Sequence, residues 1–245
     1  MPHLTLATLN TRGIPVVGSQ LPARFRKIAG FFEESDVEVV NLQEVLTYYH
    51  LRLLVRRLRS YPFVSYRRSL VGPAGGLVTF SRRPIEASTY HRFRALKGTL
   101  VTRFSFGYVV NTHPTANPDG DWSESNRFYK LHREQLATLT DVIDALPGPA
   151  AVGGDFNVAR DSKLFHDFIT TTHLTDAFAG ACPPTFHAAY LPPGRTAHCI
   201  DFVLVTGTVR VESTDLILPE PLATSSGPVH VSDHLGLRAT LLVDT

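Results

Sequence analysis

Six apolar, β-branched runs in this chain each stop at an acidic, amide or imidazole side chain. They are Leu4-Thr5-Leu6-Ala7-Thr8-Leu9-Asn10, Val39-Val40-Asn41-Leu42-Gln43-Glu44, Val109-Val110-Asn111-Thr112-His113, Val152-Gly153-Gly154-Asp155-Phe156-Asn157, Ile200-Asp201-Phe202-Val203 and Val231-Ser232-Asp233-His234. Runs of this composition read as buried strands, and strands that carry polar groups at their ends let a rigid scaffold assemble a site. The resulting set of four carboxylates, two amides and two imidazoles combines oxygen ligands for a hard cation with acid and base groups. That chemistry suits the hydrolysis of a phosphate ester.

The elements between these runs narrow the architecture. Residues 22–34 place Phe25, Ile28, Phe31 and Phe32 on one helical face, and Thr47 is positioned to cap a helix over 48–59 whose stripe is Leu51, Leu54, Val55 and Leu58. Arg52, Arg56 and Arg59 would line the opposite face. From 61 to 112 the chain becomes a meander of short strands broken by Gly and Pro. A polar loop at 114–123 leads to a helix over 124–145, ended by Pro147-Gly148-Pro149 and followed by a strand at 150–153. A helix near 161–171, a Pro- and Gly-rich loop at 179–196 and strands at 199–205, 209–217 and 236–242 complete the pattern. With no linker composition and no repeat, residues 1–245 are expected to form a single domain. Its expected class is α/β: a four-layer sandwich of two packed, mostly antiparallel sheets flanked by helices.

The chain's 245 residues are 43% hydrophobic, which supports an ample core and excludes a disordered protein. Cys182 and Cys199 are too few for a disulfide framework and match no zinc spacing, so two free thiols are expected. No run approaches a membrane span, and the chain enters its first strand without signal-peptide features, which leads to the expectation of a cytoplasmic protein. The net charge of +2 conceals an asymmetry. Residues 50–103 hold eleven Arg and one Lys against Glu86 alone, a local balance of +11, so the rest of the chain carries −9. Such a region suits contact with a polyanion such as nucleic acid or an anionic membrane surface.

Among individual residues, Asp155 and Asn157 follow two glycines that leave room for a ligand. Two apart in an extended segment, they would project to the same side and position a water and a phosphoryl oxygen together. Asp201 is embedded between Ile200 and Phe202, where an unpaired carboxylate is costly, so it requires a partner such as His234. Glu44 ends an apolar strand too early to lie within the following helix, while Asn10 and His113 close two further strands.

Taken in order, these motifs resemble the endonuclease/exonuclease/phosphatase superfamily of metal-dependent phosphoesterases, from Asn10 to Leu241. The similarity is nearest to neutral sphingomyelinases. It is carried by Asn10-Thr11-Arg12-Gly13-Ile14-Pro15, Leu42-Gln43-Glu44-Val45, Gly75-Gly76-Leu77, Phe80-Ser81-Arg82-Arg83-Pro84-Ile85 and Val110-Asn111-Thr112-His113. Arg12 stands where those enzymes usually have Trp. Leu42-Gln43-Glu44-Val45 followed by Tyr48-Tyr49 also resembles the 5′-tyrosyl-DNA phosphodiesterases.

The resemblance implies Mg²⁺, with Mn²⁺ able to substitute, bound by Glu44 with Asn10 beside it and Asp233 completing the metal or phosphate site. It implies that His234, oriented by Asp201, takes the proton of the attacking water. Asp155 and Asn157 would place that water and the phosphate, and His113 would stabilise the developing charge. The expected activity is phosphodiester hydrolysis on a phospholipid headgroup, with a nuclease or DNA-end processor as the alternative. From another class, a catalytically inactive binding module of the same fold has no need of all eight residues together.

Overall fold

The computed structural model describes residues 3–14, 20–224 and 227–243. Pro15, the last residue of the opening motif, lies outside them. The chain runs through β1 (His3–Asn10), α1 (Leu21–Glu34), β2 (Val39–Gln43), α2 (Tyr48–Val55), β3 (Phe63–Ser65), β4 (Val78–Ser81), β5 (Ala87–Arg92), β6 (Gly98–Phe104) and β7 (Gly107–His113). It continues with α3 (Tyr129–Asp144), β8 (Ala150–Asp155), α4 (Lys163–Thr172), β9 (Thr175–Asp176), β10 (Asp201–Val205), β11 (Val209–Ile217), β12 (Leu222–Thr224), β13 (Gly227–Val229) and β14 (Gly236–Val243). Two six-stranded sheets, ordered β11-β14-β1-β2-β4-β3 and β5-β6-β7-β8-β10-β9, carry the helices as outer layers, with β12 and β13 as a separate pair. Each large sheet contains a parallel pair, β1–β2 or β7–β8, and all its other pairings are antiparallel.

Helix α1 bridges β1 to β2 and α3 bridges β7 to β8, so the molecule holds two βαβ crossovers back to back. Phe25, Ile28 and Phe32 of α1 pack on Ala7, Leu9, Val40 and Leu42. Leu136 and Leu139 of α3 belong with Leu164, Phe165 and Phe168 of α4 to the core beneath the second sheet. The helix after Thr47 begins where expected, with the Thr47 hydroxyl accepting from His50 N–H at 3.2 Å. It ends at Val55, four residues early, and Val55 is exposed where the stripe had placed it inside. Helix α3 starts five residues late, because residues 119–126 spend their Asp, Asn and Ser side chains on local turns, with Asn117 accepting from Asp119 N–H and Asp121 from Ser123 N–H.

Strand alternation grades the space between the sheets. In β1, Ala7 and Leu9 face α1, while Leu4, Leu6, Thr8 and Asn10 face the second sheet. In β2, Val39, Asn41 and Gln43 share that inner face. The interior is therefore apolar where these strands begin and polar where they end. Gln43 Nε2 donates to Thr8 Oγ1 at 3.0 Å and to Asn111 Oδ1 at 2.8 Å, while Asn111 Nδ2 donates to the carbonyls of Leu42 and Val78, each at 3.1 Å. Asn41 reaches the Val110 carbonyl of the other sheet at 3.1 Å and accepts from Thr79 Oγ1 at 2.8 Å. This amide layer cross-links the two sheets directly beneath the shared ends of β1, β2, β7 and β8.

Candidate active site

Four strand exits and two strand entries meet above the amide layer. Asn10, Gln43-Glu44, His113 and Asp155 lie at the exits of β1, β2, β7 and β8, whereas Asp201 opens β10 and His234 precedes β14. Two of the six polar positions are thus strand starts, because antiparallel neighbours bring opposite ends of the chain to one edge. The register makes Asp201 the direct cross-strand partner of Asp155. Like charges so placed repel, and His234 resolves the conflict: its Nδ1 lies 2.9 Å from Asp201 Oδ2 and its Nε2 3.8 Å from Asp155 Oδ2.

Asp155, with 1% of its surface exposed, is saturated with donors. Asn10 Nδ2 donates to Oδ2 at 2.9 Å and Asn157 Nδ2 to the same oxygen at 3.1 Å, while Asn157 N–H donates to Oδ1 at 2.9 Å. His113 Nε2 lies 3.4 Å from Oδ2. Burial alone would raise the Asp155 pKa, but His234, His113 and Asn10 outweigh it and hold the carboxyl well below the usual range. Asp201 moves upward, through burial and the neighbouring Asp155 charge. Burial opposes a charge on His234, yet Asp201 and Asp155 together carry its pKa up to about 10. A Thr185 hydroxyl accepting from the amides of Ile200 and Asp201, at 2.9 and 3.0 Å, fixes the start of β10.

Asp155 and Asn157 do meet, though not as an extended pair. Asn157 turns through a left-handed backbone (φ 53°) and closes an Asx turn onto Asp155. The two glycines before them lie within β8 and serve packing rather than a ligand: a Cβ on Gly154 would sit 2.1 Å from the Thr112 carbonyl oxygen. Arg12 and Glu44, just beyond β1 and β2, are left-handed as well, at φ 47° and 58°. Three of the four exits thus pass through a conformation that costs non-glycine residues roughly 1 kcal/mol or more each. The first loop also passes so close to the second that a Cβ on Gly13 would lie 1.8 Å from the Glu44 carbonyl oxygen.

Of the expected metal ligands, Glu44 and Asp233 stand at the open side, while Asn10 is buried. Glu44 is half-buried and forms no hydrogen bond or close ion pair with another described residue. Asp233 pairs with Arg12 (Nε to Oδ2, 3.3 Å) and places Oδ1 3.9 Å from His234 Nε2. Asn10 has both ends of its amide engaged, since its Oδ1 accepts from Arg12 N–H at 2.9 Å while its Nδ2 holds Asp155. It acts here as a positioning group for Asp155. Asp155, Asp201 and His234 offer ligand atoms within 4.8 Å of one another, but the Asp201–His234 contact already pairs two of them. The uncommitted Glu44 carboxylate and Asp233 offer oxygen donors of the kind that fit a hard divalent cation.

Two cations outside the expected site residues stand beside the cluster. Lys97, between a left-handed Ala95-Leu96 turn and β6, puts its ammonium 3.2 Å from His113 Nδ1 and 3.0 Å from Nε2. Burial pushes the Lys97 pKa down, and Glu44 and Asp155 pull it part of the way back. It is the one Lys among the eleven Arg of residues 50–103, a departure that marks it in the sequence. Arg12 lies 4.2 Å over the Tyr190 ring and is held from beneath by buried Arg24, which donates to the Arg12, Thr11 and Val231 carbonyls. Trp122 donates to the Asn157 carbonyl at 2.9 Å and lines, with Phe186, Leu191, Arg195 and Ile200, a cavity of about 470 Å³ beside the cluster.

Residues 7–234 match the family described as Endonuclease/Exonuclease/phosphatase family. The chain belongs to that family. It is 24% identical over 268 residues to the "Putative neutral sphingomyelinase" of Drosophila melanogaster, a match that covers 98% of this chain and 60% of the fly protein. The chain thus spans well under two thirds of that relative's length. Its fold is shared with a humanized D. rerio TDP2 (TM-score 0.78, 19% identity, 98% of this chain and 99% of the other). It is shared equally with a Staphylococcus aureus beta toxin that carries bound magnesium ions (TM-score 0.74, 18% identity, 97% and 99%).

Proposed function

We propose that this chain is a Mg²⁺-dependent phosphodiesterase, sphingomyelinase-like, that cleaves its substrate by direct attack of water on phosphorus. The observation that carries the reading is the orientation of His234. Its Nδ1 is held by Asp201, and its Nε2 is directed between Asp155 Oδ2 at 3.8 Å and Asp233 Oδ1 at 3.9 Å. Those separations are beyond hydrogen bonding and within the reach of a water held by all three groups.

Glu44 would hold the metal ion, with Asp233 as a second oxygen donor. Mg²⁺ there would polarise a phosphoryl oxygen and, as a positive charge beside Asp155, lower the proton affinity of His234. His234 then takes the proton of the attacking water as the new O–P bond forms and the bond to the leaving oxygen breaks. Asp155 and Asn157 orient that water and the phosphate. His113, with the Lys97 ammonium against its ring, faces the charge that builds on the phosphoryl oxygens. The likeness in name of the fly relative and the bound magnesium of the beta toxin support the substrate class and the ion.

Hydrolysis of sphingomyelin and of bis(p-nitrophenyl) phosphate, measured after chelation and after Mg²⁺ is returned, tests this. Turnover is expected only with the ion, and neither Asp155→Ala nor His234→Ala should recover it. Full activity in those variants, or in the chelated enzyme, refutes the mechanism. Absence of turnover in the Mg²⁺-loaded wild type on every phosphodiester favours an inactive binding module.

A further inference from the structure

The Arg-rich stretch forms a particular surface. Four of the six large apolar side chains most exposed among the described residues, Val55, Leu70, Val71 and Leu96, fall within it, and Tyr49 adjoins it. Leu70 and Val71, 97% and 64% exposed, form the tip of a tight loop. Ser69 N–H and Oγ both donate to the Gly72 carbonyl, at 3.0 and 2.7 Å, and Tyr48 Oη donates to the Ser69 carbonyl at 2.7 Å. The tip is therefore built, not frayed. Leu96, 72% exposed, crowns the left-handed turn before Lys97.

The Leu70-Val71 tip follows directly on Ser69, which lines with Arg67, Arg68, Tyr90, Arg92 and Leu96 one groove of about 800 Å³. It opens where the edge strands β3 and β5 meet, joined by Ser65 and Ser88 hydroxyls at 2.6 Å. Its floor reaches the cleft: the carbonyl of Gly76 accepts from Val45 N–H beside Glu44, and Leu96 precedes Lys97. Arg83, Arg94 and Arg103 are paired with Glu38, Glu134 and Glu86. Arg67, Arg68 and Arg92 pair with no acid among the described residues.

A nucleic acid would engage the arginines but offer nothing to protruding aliphatic tips. A lipid interface engages both, since apolar side chains enter the acyl boundary while flanking guanidinium groups meet anionic headgroups. We propose that the Leu70-Val71 and Leu96 tips, with Arg67, Arg68 and Arg92, dock this chain onto an anionic bilayer and turn the Glu44 side of the cleft toward the headgroups. The identification of a membrane phospholipid as substrate rests on the phosphodiesterase reading above, whereas the docking surface does not.

Flotation with phosphatidylcholine vesicles, plain or containing about 30 mol % phosphatidylserine, tests the surface directly. The wild type is expected to float with the anionic vesicles only. Paired Leu70→Asp and Val71→Asp should weaken that binding at least about tenfold. Paired Arg67→Ser and Arg68→Ser should weaken it roughly 20–30-fold, about fivefold per arginine. All variants should hydrolyse soluble bis(p-nitrophenyl) phosphate like the wild type, with unchanged circular dichroism. Binding that ignores phosphatidylserine or survives the Asp substitutions overturns the proposal, as does tight binding to duplex DNA that Leu70 and Val71 do not influence. Vesicle binding by a chain that hydrolyses no soluble diester upholds the docking surface and overturns the chemistry instead.

Discussion

The two sides of the cleft are built differently. On one side Asp155, Asn157, His113, Asp201 and His234 are all buried, and each is fixed by at least one partner within 3.4 Å. On the other, Glu44, Arg12, Lys97 and Asp233 are partly exposed and charged, and two of them sit on left-handed backbone. The buried side carries the groups proposed to handle water and protons, where a misplaced group would cost rate. The open side keeps one uncommitted carboxylate and two partly exposed cations, which suits groups that must exchange with solvent and substrate. Rigidity is concentrated where the chemistry needs direction, and charge where binding needs capacity.

Removing His234 should have the largest effect. His234→Ala is expected to lower kcat on a soluble diester by about 10³–10⁴-fold, while KM changes little. Asp201→Asn, which keeps the shape but not the charge, should cost about 10²-fold, and a rate near wild type would show that the dyad does not orient the base. On the open side, Glu44→Gln should raise the Mg²⁺ concentration for half-maximal rate at least about tenfold with an unchanged Tm. A large fall in Tm would erase the distinction between the two sides. Lys97→Met is expected to reduce kcat about tenfold and leave the Mg²⁺ requirement unaltered, as read from Mg²⁺ titrations at saturating substrate.

The smallest effect is on stability and depends on pH. Because the folded His234 pKa is raised from 6.5 to about 10 in the metal-free chain, its contribution is fully present below pH 6.5 and is lost as pH rises through about 10. The denaturation gap between wild type and His234→Gln, measured in chelator, should narrow across that window. A gap that widens with pH would show that the imidazole is not held by Asp155 and Asp201.

The strands and their polar termini were legible in the composition of the runs, as were the Thr47 cap and the need of Asp201 for a partner. The stop of α2 at Val55 was not, because an apolar residue near a helix end carries no sign of which neighbour covers it. Asn157 illustrates the same point: its residue type permits a left-handed turn, but only the close approach of β7 to β8 at Gly154 makes the turn necessary. Lys97 was hidden because the register of β6 on β7, pairing Gly98 with His113, is a long-range property.

By itself the sequence determined that buried strands carry acidic, amide and imidazole side chains at their ends, since side-chain composition and alternation are local. The tertiary structure decided which side of the cleft each residue occupies. Strand order, register and the antiparallel return of β10 and β14 set the distances between charges, and those distances place one imidazole between two repelling carboxylates.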